Sequence, residues 1–173
     1  MRLNRTWASA AFLLAFSAVG SNTAHSAEEL KPPNIFVDKG ACPFECCTYR
    51  EWVARTDLTL LVTPDGKKVV GQIKKGEKVL AMTGEIHSVP LQIVSPHDYP
   101  DAGVKAGDTM YLLHYVGEGF WKVWHDGKLV EIGDLPQKGL KPKTTWWVEL
   151  KTTAGIVGWV IDRHNFENQD ACG

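Results

Sequence analysis

The sequence predicts an all-β fold. Strand-length segments of alternating apolar and polar residues follow one another along the chain, and no window shows helical periodicity with caps. Turn signals separate these segments. In Pro64-Asp65-Gly66 the proline fixes φ and the glycine accepts positive φ, and Asp126-Gly127 is typical of a type I′ hairpin. We therefore expect a single domain built from antiparallel strands.

The first 26 residues have the layout of a cleaved secretory signal. Arg2 and Arg5 precede a short apolar stretch over 7–20, and small residues precede Ala27. The stretch is too short for a bilayer span, and no later apolar run approaches the ~20 residues that a span needs. Cleavage before Ala27 predicts a periplasmic or secreted protein. Cleavage after Ala24 and an uncleaved anchor are the alternatives.

The charge balance gives no sign of a polyanion-binding role. The chain has 19 Lys and Arg against 20 Asp and Glu, so its composition favours neither nucleic acid nor an anionic membrane as a partner. Two lysine pairs, Lys67-Lys68 and Lys74-Lys75, stand beside turns. We interpret them as solvated turn faces rather than as a binding patch.

Four cysteines, Cys42, Cys46, Cys47 and Cys172, predict two disulfides formed in an oxidising compartment. Cys46 and Cys47 are not expected to bond to each other, because a vicinal disulfide strains the peptide bond in its ring. Cys42 then closes a small loop with one of them, and the other takes Cys172; the pairing 42–47 with 46–172 is favoured. The alternative is a metal or redox site, but Cys-x3-Cys-Cys lacks the usual zinc-ligand spacing.

The chain divides into a lead-in, a β domain and a tail. Residues 27–56 are predicted to be an extended lead-in that carries the cysteine cluster, since Pro32-Pro33 forbids a helix. Residues 57–161 are predicted to form the β domain, and 162–173 a polar tail pinned by Cys172. Strands are predicted, in order, at 48–54, 58–62, 69–73, 77–87, 108–116, 120–124, 128–132, 144–151 and 155–161.

Three short motifs in the β domain stand in an order known from one family. They are Val69-Val70-Gly71-x-Ile73-x-Lys75-Gly76, Trp147-x-x-Leu150 and Gly158-Trp159-Val160. Together they resemble bacterial SH3 (SH3b) domains over about 57–87 and 144–161. The resemblance implies a small SH3-like barrel that recognises cell-wall peptide or protein. Residues 88–143 depart from the family as an insertion with its own β-hairpin, either a second SH3-like unit or an elongated hairpin.

Aromatic residues are the leading candidates for a binding surface. Adjacent tryptophans in a strand point to opposite faces, and Trp121 and Trp124 likewise fall on opposite faces of one predicted strand. We predict a ligand groove for an extended peptide, to which partly exposed rings contribute. Its predicted members are Trp121, Trp124, Trp146 and Tyr115, with Tyr111 and Phe120 beside them. The alternative is that the insertion packs on the barrel and covers these rings.

The sequence contains no evident catalytic constellation. Disulfide formation consumes every thiol that a Cys–His hydrolase would need, and neither Ser88 nor Ser95 stands in a Gly-x-Ser-x-Gly elbow. His114 is interpreted as a packing histidine on the face of Leu112 and Val116.

These observations predict a non-enzymatic binding module without a metal or cofactor. The SH3b resemblance implies that it acts at the bacterial cell envelope and recognises a cell-wall peptide or another extended peptide. The alternative is a periplasmic interaction or inhibitor protein that docks on another exported protein through the insertion. A Cys-dependent metal or redox protein is the third hypothesis.

Overall fold

The computed structural model describes residues 30–135, 139 and 141–172; the predicted signal peptide, 1–26, lies outside them. The all-β prediction is confirmed, because these residues form strands and one short 3₁₀ helix, Pro100–Ala102. No helix within these ranges has the length and apolarity of a membrane span. The strands are β1 (Phe36–Lys39), β2 (Glu51–Ala54), β3 (Leu58–Leu61), β4 (Val69–Ile73), β5 (Lys78–Val89), β6 (Leu91–Val94), β7 (Thr109–Gly117), β8 (Phe120–His125), β9 (Lys128–Ile132), β10 (Lys143–Thr152), β11 (Val157–Ile161) and β12 (Phe166–Glu167).

Eight strands form the larger sheet, in the order β12-β2-β5-β10-β11-β3-β4, with β1 beside β5. The long strands β5 and β10 are its antiparallel centre, running from Val79 opposite Thr152 to Val89 opposite Lys143. The other edge of β5 pairs first with β2 and then with β1. This sheet curls into a half-barrel, so the structure is barrel-like at the level of fold class.

A β-bulge in β5 changes which side chains face the interior. The register shifts between Glu149 and Leu150 of β10, and Met82 is the extra residue on β5. Buried positions are odd-numbered before Met82 and even-numbered from Gly84 to Ser88 after it. The alternation predicted for 77–87 therefore holds only up to the bulge.

The larger sheet encloses a core centred on Trp52, which is fully buried. Its ring centroid lies 5.4 Å from that of Phe166 and 6.0 Å from that of Trp146, and its indole nitrogen donates to the Thr48 carbonyl at 3.0 Å. Burying these rings removes large apolar areas from water, at roughly 25 cal/mol per Å². The other fully buried members are Ala54, Leu60, Ile73, Val79, Ala81, Val148, Leu150 and Val160.

The C-terminal segment contributes to this core, unlike the polar tail predicted over 162–173. Phe166 of β12 pairs with Ala54 of β2 and is buried against Trp52. Close by, the side-chain amide of Gln169 donates to the carboxylate of buried Asp162 at 2.6 Å. One aromatic residue in a polar segment thus anchors the end of the chain.

The chain between β5 and β10, where the insertion was predicted, forms a second sheet in the order β6-β7-β8-β9. Asp126 and Gly127 have φ of 49° and 76°, as a type I′ turn requires, and the turn sets the register of β8 against β9. This smaller sheet has a core of its own. Its buried members are Val104, Met110, Leu112, Trp121, Val123, Ile132 and Leu135.

A second bulge, in β7, reverses the predicted orientation of His114. The register shifts between Leu112 and His114, where Leu113 is the extra residue, and His114 pairs with Lys122 of β8. His114 therefore lies on the face opposite to Leu112, which corrects the sequence interpretation. On that face it meets Asp38 of β1, so the larger sheet packs against the smaller one there.

Two disulfides close the molecule. Cys42 bonds to Cys47 and Cys46 to Cys172, with Cα separations of 5.6 and 5.7 Å, which is the connectivity favoured from the sequence. The second bond joins residues 126 positions apart, and Cys47 also forms an isolated β-bridge with Asp170. Two disulfides fit an oxidising compartment.

Candidate functional site

Two of the predicted groove residues, Tyr115 and Trp121, pack together. They face each other across β7 and β8, and their rings form an edge-to-face pair with centroids 5.4 Å apart. Trp121 is buried in the core of the smaller sheet, and Tyr115 is half-buried against it. Both rings therefore support the sheet from its interior face.

The other two predicted groove residues, Trp124 and Trp146, lie elsewhere. Trp124 is on the opposite face of β8, where its indole nitrogen donates to the Leu30 carbonyl at 2.9 Å and its ring meets Phe36 at 6.5 Å. Trp146 packs in the core of the larger sheet, 5.9 Å from the ring of Phe44. The four predicted residues thus occupy three places and do not line one groove. The pleat separates Trp121 from Trp124, as the sequence indicated; Trp121 is buried, whereas Trp124 is only partly covered by the lead-in.

An open aromatic surface exists next to them, around Phe120 at the start of β8. Its side chain is 45% exposed, and two cavities of about 400 and 390 Å³ adjoin it. Both cavities are lined by Glu118, Phe120 and Glu131, and we call the joined surface the Phe120 cleft. Its remaining lining residues are Phe44, Glu45, Cys46, His97, Asp98, Tyr99, Pro100, Asp101, Ala102, Val116, Gly117, Ile132, Gly133 and Asp134.

The turn between β7 and β8 positions Phe120. Glu118 and Gly119 both have positive φ, and the amide of Gly119 donates to the Tyr115 hydroxyl at 2.8 Å. Across the sheet, Gly133 lets the Phe120 ring approach the backbone, because a Cβ there would lie 3.2 Å from a ring carbon. The Phe120 ring is therefore held beside Gly133 at the cleft, while the residue remains 45% exposed.

Carboxylates surround the cleft. Glu118, Glu131 and Asp134 are exposed, and each lines the 400 Å³ cavity. Asp98 and Asp101 come from the loop before the 3₁₀ helix and from the helix itself, and Asp98 accepts the amide of Ala106 at 2.8 Å. A concentration of negative charge next to an exposed aromatic ring favours a cation with an apolar stem.

Tyr99 provides a polar group at the wall of the cleft. Its ring stacks on His97 with centroids 4.4 Å apart, and its hydroxyl is buried without a hydrogen-bond partner in the described structure. Burial raises the pKa of Tyr99, and the negative charge of Asp134 raises it further. The phenol therefore stays protonated near neutral pH, and its ring forms part of the cleft wall.

A second cleft of about 460 Å³ lies along the C-terminal segment, between Phe44, Arg50, Arg55 and residues 164–170. Arg50 donates to the backbone carbonyls of Asn168 and Asp170, the first at 2.8 Å. Arg55 and Glu167 form a loose, exposed ion pair at 3.8 Å. Because its main cation is used by the segment that forms the wall, this cleft is better explained as packing than as a ligand site.

Three histidines, His87, His114 and His125, contact carboxylates. The two ring nitrogens of His87 lie 2.9 Å from Asp65 Oδ2 and 3.0 Å from Glu85 Oε2. Ser88 is buried on the opposite face of β5 from His87. The sulfurs of Cys46 and Cys172, which lie near Asp170, are bonded to each other.

Comparisons with models of protein families, with curated proteins and with solved structures gave no match to this chain. The functional inference therefore depends on the fold class and on the chemistry of the Phe120 cleft. That cleft combines the exposed aromatic ring of Phe120, the buried hydroxyl of Tyr99 and several surrounding carboxylates. It lies at the end of the smaller sheet, which has its own core.

Proposed function

We propose that this protein is a non-catalytic binding module of the bacterial cell envelope that takes an extended, amine-bearing peptide in the Phe120 cleft. The SH3b resemblance supplies the ligand class, a cell-wall peptide. Such peptides contain a diamino acid, whose free amine matches the carboxylates of the cleft. The disulfides support an exported location.

The observation that carries the proposal is the position of Phe120 between the two cavities. Phe120 is 45% exposed and its ring lies close to Gly133, so part of the ring is accessible to a ligand at the cavities on either side. An alkyl-ammonium side chain placed over the ring would gain about 0.5–2 kcal/mol from the cation–π contact. Glu118 and Glu131 lie beside it to pair with the charge.

The test compares binding of purified cell-wall peptide to the wild type with binding to Phe120→Ala and Glu131→Gln. We expect Phe120→Ala to bind about two- to thirtyfold more weakly, which corresponds to the loss of about 0.5–2 kcal/mol, and Glu131→Gln to bind up to about fivefold more weakly, because an exposed ion pair contributes at most about 1 kcal/mol. Leu129→Ala is the matched control: Leu129 is 47% exposed in the adjacent strand β9 but does not line the cleft. Acetylating the amine of the peptide should weaken binding to the wild type in the same way.

Trp124 and Trp146, although predicted as ligand residues, are not suitable probes. Trp124 donates a hydrogen bond to the Leu30 carbonyl, and Trp146 packs against the core of the larger sheet. Replacing either would lower the stability of the fold, so a loss of binding would not report a lost ligand contact. Failure of the folded wild type to bind cell-wall peptide, or equal binding by all three variants, would remove the proposed function.

A further inference from the structure

The edge strand β4 is the end of the larger sheet. Among the described residues it pairs only with β3, so the backbone groups on its other edge have no strand partner. A free edge of this kind is a template for another extended segment. The five residues of β4, Val69–Ile73, include no charged side chain to oppose such pairing.

Apolar side chains flank the edge on both faces of the sheet. Val69 is 54% exposed and pairs with Leu61, which in turn pairs with Trp159, so these three form a row across the outer face. On the inner face, exposed Ile156 lies against Gly71, where a Cβ would come within 3.1 Å of it. A strand added to β4 would therefore meet apolar side chains on both faces of the sheet, with the exposed amide of Gln72 among them.

Lysines stand at both ends of the edge. Lys67 and Lys68 precede β4, Lys74 and Lys75 follow it, and all four are exposed. Antiparallel pairing of β4 with a second copy would place the lysines of one end beside those of the other, which is unfavourable. An acidic strand would instead match Lys67 and Lys68 at one end and Lys75 at the other, where Lys74 already pairs with Asp57 at 2.9 Å.

We propose that the β4 edge binds an extended acidic segment of another exported protein by strand addition. This surface belongs to the larger sheet and is separate from the Phe120 cleft, which lies on the smaller one. An edge is commonly protected by lysines within the strand or by a bulge. Here the lysines lie in the flanking turns, where they select the charge of the partner, and the bulge at Val70 leaves 71–73 as the regular part of the edge.

The probe is a synthetic peptide of alternating valine and threonine with a glutamate pair at each end and blocked termini. Two controls are the same peptide with lysine pairs at its ends and the same peptide with a central proline. We expect the acidic peptide to shift the NMR amide signals of 69–73 and to bind more weakly as salt is raised. The lysine and proline peptides should bind at least about tenfold more weakly.

Charge reversal provides the second measurement. The double variant Lys67→Glu, Lys68→Glu should lose about tenfold affinity for the acidic peptide and gain affinity for the lysine peptide. The control variant Lys105→Glu, Lys128→Glu changes the same charge on the smaller sheet and should bind as the wild type does. The four substituted lysines, two in each variant, are exposed. The NMR amide signals of the core should therefore stay unchanged in both variants.

Three results would overturn the proposal. They are shifts that map outside β4 and its flanking turns, equal binding of the acidic and lysine peptides, and unchanged affinity in the Lys67→Glu, Lys68→Glu variant. Each can be obtained whether or not the protein binds cell-wall peptide, so the outcome is independent of the Phe120 cleft.

Discussion

Nε2 of His114 lies 2.8 Å from Oδ2 of Asp38, although the two residues are 76 positions apart in the chain. Nζ of Lys122 lies 2.6 Å from the same oxygen, and Nδ1 of His114 donates to the Tyr115 carbonyl at 3.0 Å. The imidazole is 3% exposed. A partly buried carboxylate thus joins β1 of the larger sheet to β7 and β8 of the smaller sheet.

Removing that carboxylate should destabilise the protein strongly. In Asp38→Ala the side chains of His114 and Lys122 lose their common acceptor, and leaving these partly buried donors without it costs about 1–3 kcal/mol. The free energy of unfolding in urea measures this. Glu167→Gln is the control, because its pair with Arg55 is mostly exposed and contributes at most about 1 kcal/mol. If Asp38→Ala and Glu167→Gln lowered the free energy of unfolding by similar amounts, Asp38 would not be stabilising the contact between the two sheets.

The two disulfides should contribute unequally. Loop closure predicts that Cys46–Cys172, which spans 126 residues, stabilises the fold by about 5 kcal/mol, and Cys42–Cys47, which spans 5, by about 2 kcal/mol. The double variants Cys46→Ser, Cys172→Ser and Cys42→Ser, Cys47→Ser keep one bond each. Thermal and urea unfolding should rank the first as the less stable, and hydrogen exchange should show β12 opening in it. The reverse order would contradict the loop-closure argument.

Gly84 is required by close packing rather than by its φ. A Cβ at this position would lie 2.7 Å from the indole nitrogen of Trp146 and 2.9 Å from the Trp147 carbonyl, and it would also overlap the Tyr49 hydroxyl. Gly84→Ala should therefore cost about 3 kcal/mol, since neither backbone nor packed rings can move freely. Thr83→Ala, at the adjacent position with its side chain on the other face, should cost far less. Equal unfolding midpoints for Gly84→Ala and Thr83→Ala would show that the residues around Gly84 move to accommodate the added methyl group.

Stability should decline in alkali through two tyrosines. Burial raises the pKa of Tyr49, although the neighbouring Trp146 indole opposes the shift, and burial also raises the pKa of Tyr99. Unfolded tyrosine ionises near pH 10, so the stabilisation is complete below that pH and is lost as the pH rises above it. Urea unfolding from about pH 8 to about pH 11 should show this loss, and Tyr49→Phe with Tyr99→Phe should flatten it. If the free energy of unfolding of the double variant fell with pH as steeply as that of the wild type, neither tyrosine would be the cause of the loss.

Strand positions were predictable because alternation and turn chemistry act locally. The predicted strands at 69–73 and 128–132 coincide with β4 and β9, and the Asp126-Gly127 turn has the expected φ values. The bulges were not predictable, since an extra residue is defined only against the partner strand. Met82 and Leu113 therefore reversed the faces of the residues that follow them, His114 among them.

The candidate site was only partly predictable. The sequence pointed to Tyr115, Trp121 and their neighbours, but it did not identify Phe120 as the open ring among them. One signal was present: a two-residue turn at Asp126-Gly127 implies a register that brings Phe120 beside Gly133. The carboxylates come from three separate segments of the chain, and their convergence required the tertiary fold.

The sequence by itself determined the fold class and the turns, because these depend on residue type and short-range spacing, and it favoured the disulfide connectivity that the structure has. Tertiary structure decided which surfaces are covered. A strand assigns each side chain to a face, but whether that face is buried depends on what packs against it. Trp124 is partly covered by the lead-in and Phe166 by β2, whereas the ring of Phe120 and the edge of β4 remain open, and these open surfaces are where we place recognition.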